Sequence, residues 1–316
     1  MKLFLIIDNF QFFRDLLRTR VIDLIYEKEG VRPIIFTSYA PDVVAEELSR
    51  YNADVRPLPL KEPTAASNLL YSTAKDLWAL ENPHSTYTQK RKQIEESLGK
   101  NRGARRAFAK AIQLGGASAN SLVKAATRFS GDDEFGSILD EEKPDAILYS
   151  RTFPAKLECL REAKKRSIPM LLCITSWDHP TSKGPLTVIP DAALVWGPDM
   201  RKQMMQYHKL TEKNIHVAGV PYFEDYFKNE AIPDRDSFWK EQGVPTDKKI
   251  INYSTGDSSL IKCNLDFIQV ISTVLETRLK DTPTHLVVRV SPKDIFEIYK
   301  PFENHPNVTI QYPKGS

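Results

Sequence analysis

The chain opens on a short unbroken apolar run at residues 3–7, after which Phe13, Leu16, Leu17, Val21, Leu24 and Ile25 recur at helical spacing. The run predicts a buried strand and the recurrence an amphipathic helix. The pattern repeats with a strand at 33–38, a helix from Pro41, whose ring suits a first helical turn, and a strand at 55–60. From Thr64 to about Ser130 the strand signal disappears. Two or three helices are predicted there, broken near 81–83 and 115–116. Strands then return at 146–150, 170–175, 192–196 and 215–218, with helices at 154–165 and 199–209 between them. A polar stretch over 229–247, holding Pro233, Gly243 and Pro245, precedes a second series: strand 250–254, helix 265–279 and strands 286–290 and 308–312.

Strands alternating with helices predict parallel, doubly wound α/β sheets joined by right-handed crossovers. The expected organisation is a first domain at 1–228 with a helical insertion at about 64–130, a linker at 229–247, and a second domain at 248–316. The second has about three strands where a doubly wound nucleotide-binding domain has about five or six, so it is expected to be incomplete in this chain.

Length supports two domains, since 316 residues exceed what one core usually serves. Apolar residues at 41% and charged residues at 27% are ordinary for a globular protein. The formal charge of +3 hides an asymmetry: ten Lys/Arg and two Glu lie between Lys90 and Arg128, and the rest of the chain is acidic. That segment has three readings: a solvated helical face, a contact with an anionic membrane surface, or a nucleic-acid site. Aromatic side chains to stack bases are nearly absent there, Phe108 apart, so nucleic acid is not expected as a partner. Cys159, Cys173 and Cys263 form no C-x-x-C pair and are odd in number, which fits a reducing compartment. The first apolar run ends at Asp8, short of a secretory signal, and nothing approaches the ~20 apolar residues of a membrane span. The expected location is cytoplasmic, with any membrane association peripheral.

In parallel sheets ligands sit outside the carboxyl ends of the strands, so the loops leaving those ends are the places for chemistry. Four carry suggestive residues: Asp8 and Asn9 after the first strand, Arg151 after the strand at 146–150, residues 176–184 after the strand at 170–175, and residues 254–259 in the second domain. The third brings Trp177, Asp178, His179 and Lys183 together within one short loop. A capping turn would explain Ser176 or Asp178 singly; convergence of carboxylate, imidazole, ammonium and indole points to a binding site. Ser254, Thr255 and Gly256 read either as an ordinary strand-to-helix turn or as a phosphate cradle at a helix N-terminus. There is no G-x-x-x-x-G-K-[ST], no G-x-G-x-x-G, no G-x-S-x-G and no zinc-ligand spacing among the six histidines. This argues against ATPase, dinucleotide-dependent, serine-hydrolase and zinc-hydrolase classes.

The run Ile174-Thr175-Ser176-Trp177-Asp178-His179-Pro180-Thr181-Ser182-Lys183-Gly184 resembles the S-W-D-N-x-T-x-K-G signature of bacterial surface-carbohydrate proteins. These belong to the GT-B (UDP-glycosyltransferase/glycogen phosphorylase) superfamily and are related to the CDP-glycerol glycerophosphotransferases. The stretches Pro190-Asp191-Ala192-Ala193-Leu194-Val195-Trp196-Gly197 and Ile215-His216-Val217-Ala218-Gly219-Val220-Pro221-Tyr222-Phe223, and Phe13-Arg14-Asp15-Leu16-Leu17-Arg18 near the start, extend the likeness. The resemblance implies two Rossmann-like domains, the first for the acceptor and the second for the donor. The implied activity is glycosyl or glycerophosphoryl transfer in surface polysaccharide or capsule synthesis. The implied partners are a nucleotide-activated sugar or polyol and a carbohydrate or lipid-linked acceptor. No metal or other cofactor is implied, because helix dipoles and basic side chains stabilise the leaving diphosphate. Asp178, or else Asp8, would be the general base. Asn9, Arg151, Trp177, His179 and Lys183 would bind substrate; Ser254, Thr255, Gly256 and Arg289 would meet the donor phosphates. This chain departs from its relatives at His179, where they carry Asn, and at Arg289-Val290-Ser291-Pro292, where many read R-P-H-P. The alternatives are a non-catalytic binding or assembly subunit and a sugar-nucleotide 2-epimerase of the same architecture.

Overall fold

A computed structural model describes residues 1–97, 103–129, 131–150, 158–227, 233–257 and 261–313. The chain forms two compact units, Met1–Lys228 and Asn229–Ser316. In the first, seven strands form one parallel sheet: β1 (Lys2–Ile7), β2 (Arg32–Thr37), β3 (Asp54–Pro57), β4 (Ala146–Tyr149), β5 (Met170–Cys173), β6 (Ala192–Val195) and β7 (Ile215–Val217). Their spatial order is β3-β2-β1-β4-β5-β6-β7. The order reverses between β1 and β4, which makes the crevice at their carboxyl ends the topological switch point.

The apolar run of β1 needs no alternation because both faces are covered. Phe4 and Ile6 enter one core with Ile34, Phe36, Ile147 and Leu172, and Leu5 and Ile7 enter the other with Phe12, Leu16 and Ile35. Within the first core Phe4, Phe36 and Phe135 pack ring against ring, with Phe36 at 4.8 Å from Phe4 and 5.4 Å from Phe135. Burying each such ring contributes about 1.5–3 kcal/mol.

The ladders end before the apolar runs do. Ser150, Ile174, Thr175, Trp196 and Ala218 lie past the last paired residues of β4, β5, β6 and β7. β3 stops at Pro57 because Pro57 and Pro59 cannot donate to a ladder.

Among the described residues the predicted helical stretch holds helical segments at Ala65–Glu81, Thr86–Ser97, Gly103–Leu114 and Ala119–Arg128. Leu77, Trp78, Ala109 and Ala119 form their buried centre. Trp78 donates its indole N–H to the Tyr207 carbonyl at 3.1 Å and fastens these helices to the helix Pro198–His208. The basic segment is partly neutralised from within: Arg91 pairs with buried Asp76 and with Glu95 at 3.0 Å, and Arg106 pairs with Glu95. Arg91 is largely buried in these pairs and Arg106 is exposed, whereas Arg102 lies outside the described residues. No helix among the described residues is long and apolar enough to cross a membrane.

The second unit holds β8 (Lys249–Ser254), β9 (Thr284–Arg289) and β10 (Val308–Gln311) in a parallel sheet ordered β10-β9-β8. The helix Asn264–Thr277 contributes Ile268 and Leu275 to a core with Leu286, Val288 and Tyr299. The helix Arg235–Glu241, capped by the Asp234 carboxylate, occupies part of the stretch predicted as a linker. The fold is thus α/β with two Rossmann-like parallel sheets, seven-stranded and three-stranded.

Candidate functional site

Asp8 and Asn9 leave the carboxyl end of β1 and Ser150 leaves that of β4, so the switch point is where they meet. Asn9 organises the group. Its Oδ1 accepts the Phe12 N–H at 3.0 Å and caps the helix Phe10–Leu17; its Nδ2 donates to Asp8 Oδ1 at 3.0 Å and to Ser150 Oγ at 2.7 Å. A cap of this kind contributes about 1 kcal/mol. Both amide functions are in use, which makes Asn9 a positioning residue for Asp8 rather than a substrate contact. The sequence pattern predicts a strand that includes Ser150; its place in this group follows from β4 ending at Tyr149. Arg151, the neighbouring candidate, lies outside the described residues.

The loop after β5 is a compact turn built on Asp178. Its Oδ1 accepts from Ser176 Oγ at 2.5 Å and its Oδ2 from Ser182 Oγ, while its carbonyl accepts the N–H groups of Thr181 and Ser182. Burial alone would raise the Asp178 pKa, but the two hydroxyls, with His179 and the Lys183 ammonium, hold it below the ordinary carboxylate value. A carboxylate so engaged is a weak base, and its geometry is that of a loop organiser. Trp177 is 72% exposed, Lys183 half-buried and His179 buried in the one-turn helix His179–Ser182. Burial pushes the His179 pKa down to about 4, against the pull of Asp178.

Helical-insertion side chains with no recognisable motif hold this loop. Tyr71 donates to the Pro185 carbonyl at 2.9 Å, and the Thr86 and Thr181 hydroxyls meet at 3.3 Å. Gly184 has φ +78, and a Cβ there would lie 3.1 Å from the Tyr87 ring, so only glycine fits. From the helix Pro198–His208, His208 Nε2 meets the Pro180 carbonyl at 2.8 Å. A carbonyl can only accept, so His208 is the Nε2–H tautomer. It is buried against Trp78, and burial lowers its pKa to about 4.

A histidine held neutral when folded contributes stability that is complete above its ordinary pKa of 6.5 and lost as pH falls toward 4. For His208 the loss is on the order of 3 kcal/mol. Thermal unfolding should therefore be level from pH 8 to 7 and fall progressively below pH ~6.5. His208→Gln, which keeps a donor for Pro180, should make the decline shallower, the remainder falling to His179, which burial also holds near 4; an identical pH profile in the variant would remove His208 as a cause.

In the second unit the phosphate-cradle reading of residues 254–256 meets competition. The Thr255 N–H donates to the Arg289 carbonyl at 2.9 Å, its Oγ1 accepts from the Ser291 N–H, and the Gly256 N–H donates to Asn264 Oδ1 at 3.2 Å. The Thr255 and Gly256 amides are thus used within the fold. Ser254 ends β8 and is exposed. Arg289 differs: it is exposed at the end of β9, forms no ion pair among the described residues, and lines a cavity of about 560 Å³ with Gln242, Gln311 and Tyr312. No group of three or more His, Cys, Asp or Glu arranged for a metal occurs among the described residues.

No family model matches the sequence, and no curated protein matches it. Solved structures do. A UDP co-structure of MnaA from S. aureus is 11% identical, with 99% of this chain and 68% of that chain covered and a TM-score of 0.54. The UDP-GlcNAc 2-epimerase from Neisseria meningitidis bound to UDP-GlcNAc is 10% identical, with 100% and 73% covered and a TM-score of 0.55. A glycosyltransferase from Rickettsia africae is 10% identical, with 99% and 68% covered and a TM-score of 0.54. Identities this low establish likeness of fold: the chain is GT-B-like.

Proposed function

We propose that this protein acts on a nucleotide-activated sugar or polyol and transfers the activated group to a hydroxyl acceptor. The observation that carries the reading is the Asp8–Asn9–Ser150 group at the switch point of a GT-B-like sheet. Transfer to a hydroxyl needs one base, to take the proton as the oxygen attacks. Asp8 is that base, held by Asn9; Asp178 shapes the loop that borders the acceptor, and Trp177 and Lys183 offer it an apolar face and a cation. Arg289 meets the donor diphosphate, whose leaving charge it stabilises. The W-D segment's resemblance to bacterial surface-carbohydrate proteins related to the CDP-glycerol glycerophosphotransferases keeps a polyol donor within the proposal.

A second reading, a sugar-nucleotide 2-epimerase, is favoured by the solved structures of that name. Inverting a C–H centre calls for proton removal and return on opposite faces, hence two acid–base groups. The switch point presents one carboxylate with an amide and a hydroxyl among the described residues, which suits transfer better.

Calorimetric titration with UDP, CDP and UDP-GlcNAc tests the donor assignment. A nucleotide diphosphate should bind, and Arg289→Ala should weaken it about 10–100-fold, the loss of a charged hydrogen bond of about 1.5–3 kcal/mol. Equal affinity in wild type and variant would displace the donor from Arg289.

A further inference from the structure

The helix Gly103–Leu114 is apolar on the side that meets its neighbours and apolar again on the side that meets solvent. Ala109 and Ile112 pack with Leu77, Trp78 and Ala119 in the centre of the helical insertion. On the outer side Ala107, Ala111 and Leu114 follow at spacings of four and three, which lines them up along the helix, and all are exposed, Leu114 by 85%. Phe108, 59% exposed, flanks that stripe, and together with Leu69 of the helix Ala65–Glu81, 66% exposed, it lines one groove. The face opposite a core stripe ordinarily carries charged and polar residues. Large apolar side chains gathered there instead mark a contact surface.

The charge around this face identifies what it meets. The helix holds no acidic residue, and Arg106 and Lys110, both exposed and four residues apart, run beside the stripe. The Arg106 guanidinium pairs with Glu95, which brings the helix Thr86–Ser97 alongside with its exposed Lys90 and Lys92. Of the two carboxylates in that helix, Glu95 is engaged by Arg91 and Arg106, and Glu96 is exposed. Apolar side chains rimmed by long cations suit a bilayer interface: ring and methyl groups enter the acyl boundary, while lysine and arginine stems lie along it and hold their charges at the phosphates. We infer that this face docks on an anionic lipid surface, with Phe108, Leu114 and Leu69 entering the interface and Lys90, Lys92, Arg106 and Lys110 meeting the lipid phosphates. The face shares no residue with the Asp8–Asn9–Ser150 group or with Arg289, so the inference stands apart from the transferase reading.

Flotation with two kinds of vesicle, phosphatidylcholine alone and phosphatidylcholine mixed with phosphatidylglycerol in equal parts, decides the matter. The protein should float with the anionic vesicles and stay behind with the neutral ones. Raising salt from about 0.1 M to about 1 M, which shortens the Debye length from about 10 Å to about 3 Å, should release it. Lys110→Glu, which reverses one exposed charge, should weaken partitioning about 10–30-fold. Phe108→Ser combined with Leu114→Ser should weaken it at least about 10-fold at unchanged charge, which a merely electrostatic attraction of a basic segment would not show. All three positions are exposed, so the variants should keep the wild-type far-UV circular dichroism. Absence of flotation with anionic vesicles, equal flotation with neutral ones, or anionic binding that neither variant weakens would overturn the proposal. A dimer in solution that the double serine variant dissolves, without vesicle binding by the wild type, would assign the face to a second copy of the chain instead. UDP binding, measured in parallel, should be the same in all variants, so failure here is separable from failure of the donor assignment.

Discussion

Replacing Asp8 by Asn is expected to lower kcat about 10²–10⁴-fold while leaving nucleotide affinity unchanged. The substitution is nearly isosteric, and the amide oxygen can still accept from Asn9 Nδ2 as the carboxylate does at 3.0 Å. What disappears is the ability to take a proton from the acceptor hydroxyl. Asp178→Asn makes the contrast. Its side chain accepts from Ser176 and Ser182, so the change should loosen the turn and raise KM for the acceptor more than it lowers kcat. Steady-state kinetics on both variants separates the two aspartates. If Asp178→Asn abolishes turnover and Asp8→Asn does not, the roles assigned here are exchanged.

The largest expected effect on stability lies at a buried ion pair in the helix Glu158–Lys165. Glu158 and Arg161 are 1% and 3% exposed, and Arg161 Nη1 also donates to Ser67 Oγ at 2.9 Å with its guanidinium 5.2 Å from the Tyr71 ring. Arg161→Met takes the guanidinium away from the buried Glu158 carboxylate and should cost about 3–5 kcal/mol. Removing both charges, with Glu158→Leu added, should recover most of that loss, because well-packed apolar side chains replace a buried pair at little net cost. Urea denaturation of the two variants measures it. A single variant as stable as wild type would mean that the pair does not anchor this helix.

Much of the fold was legible because β1 and its partners are buried on both faces, so the apolar runs are unbroken and fall between helical periodicities. Strand ends were less legible. An apolar run continues past the last ladder bond when the next side chains, such as Ile174, still enter the core. That overrun hid Ser150. In the helical insertion Pro83 and the Gly115-Gly116 pair mark helix ends, whereas no signal in the periodicity separates Thr86–Ser97 from Gly103–Leu114. The candidate loops were found by rule, from their place after the strands, and Asp8 and Asn9 do sit at the switch point. What a side chain does there depends on neighbours far away in the chain. Ser182 donating its hydroxyl to Asp178 Oδ2, His208 donating to the Pro180 carbonyl, and Asn264 accepting the Gly256 N–H carry no local signal.

The most direct test of the central claim is a proton NMR time course of UDP-GlcNAc with the protein in D₂O, run with and without a pool of hydroxyl acceptors. A transferase with one base at Asp8 should leave the nucleotide sugar's C2 proton and configuration intact and release UDP faster when acceptor is present. Deuterium entering C2, with a C2 epimer forming in the absence of acceptor, would contradict transfer and establish the epimerase reading instead.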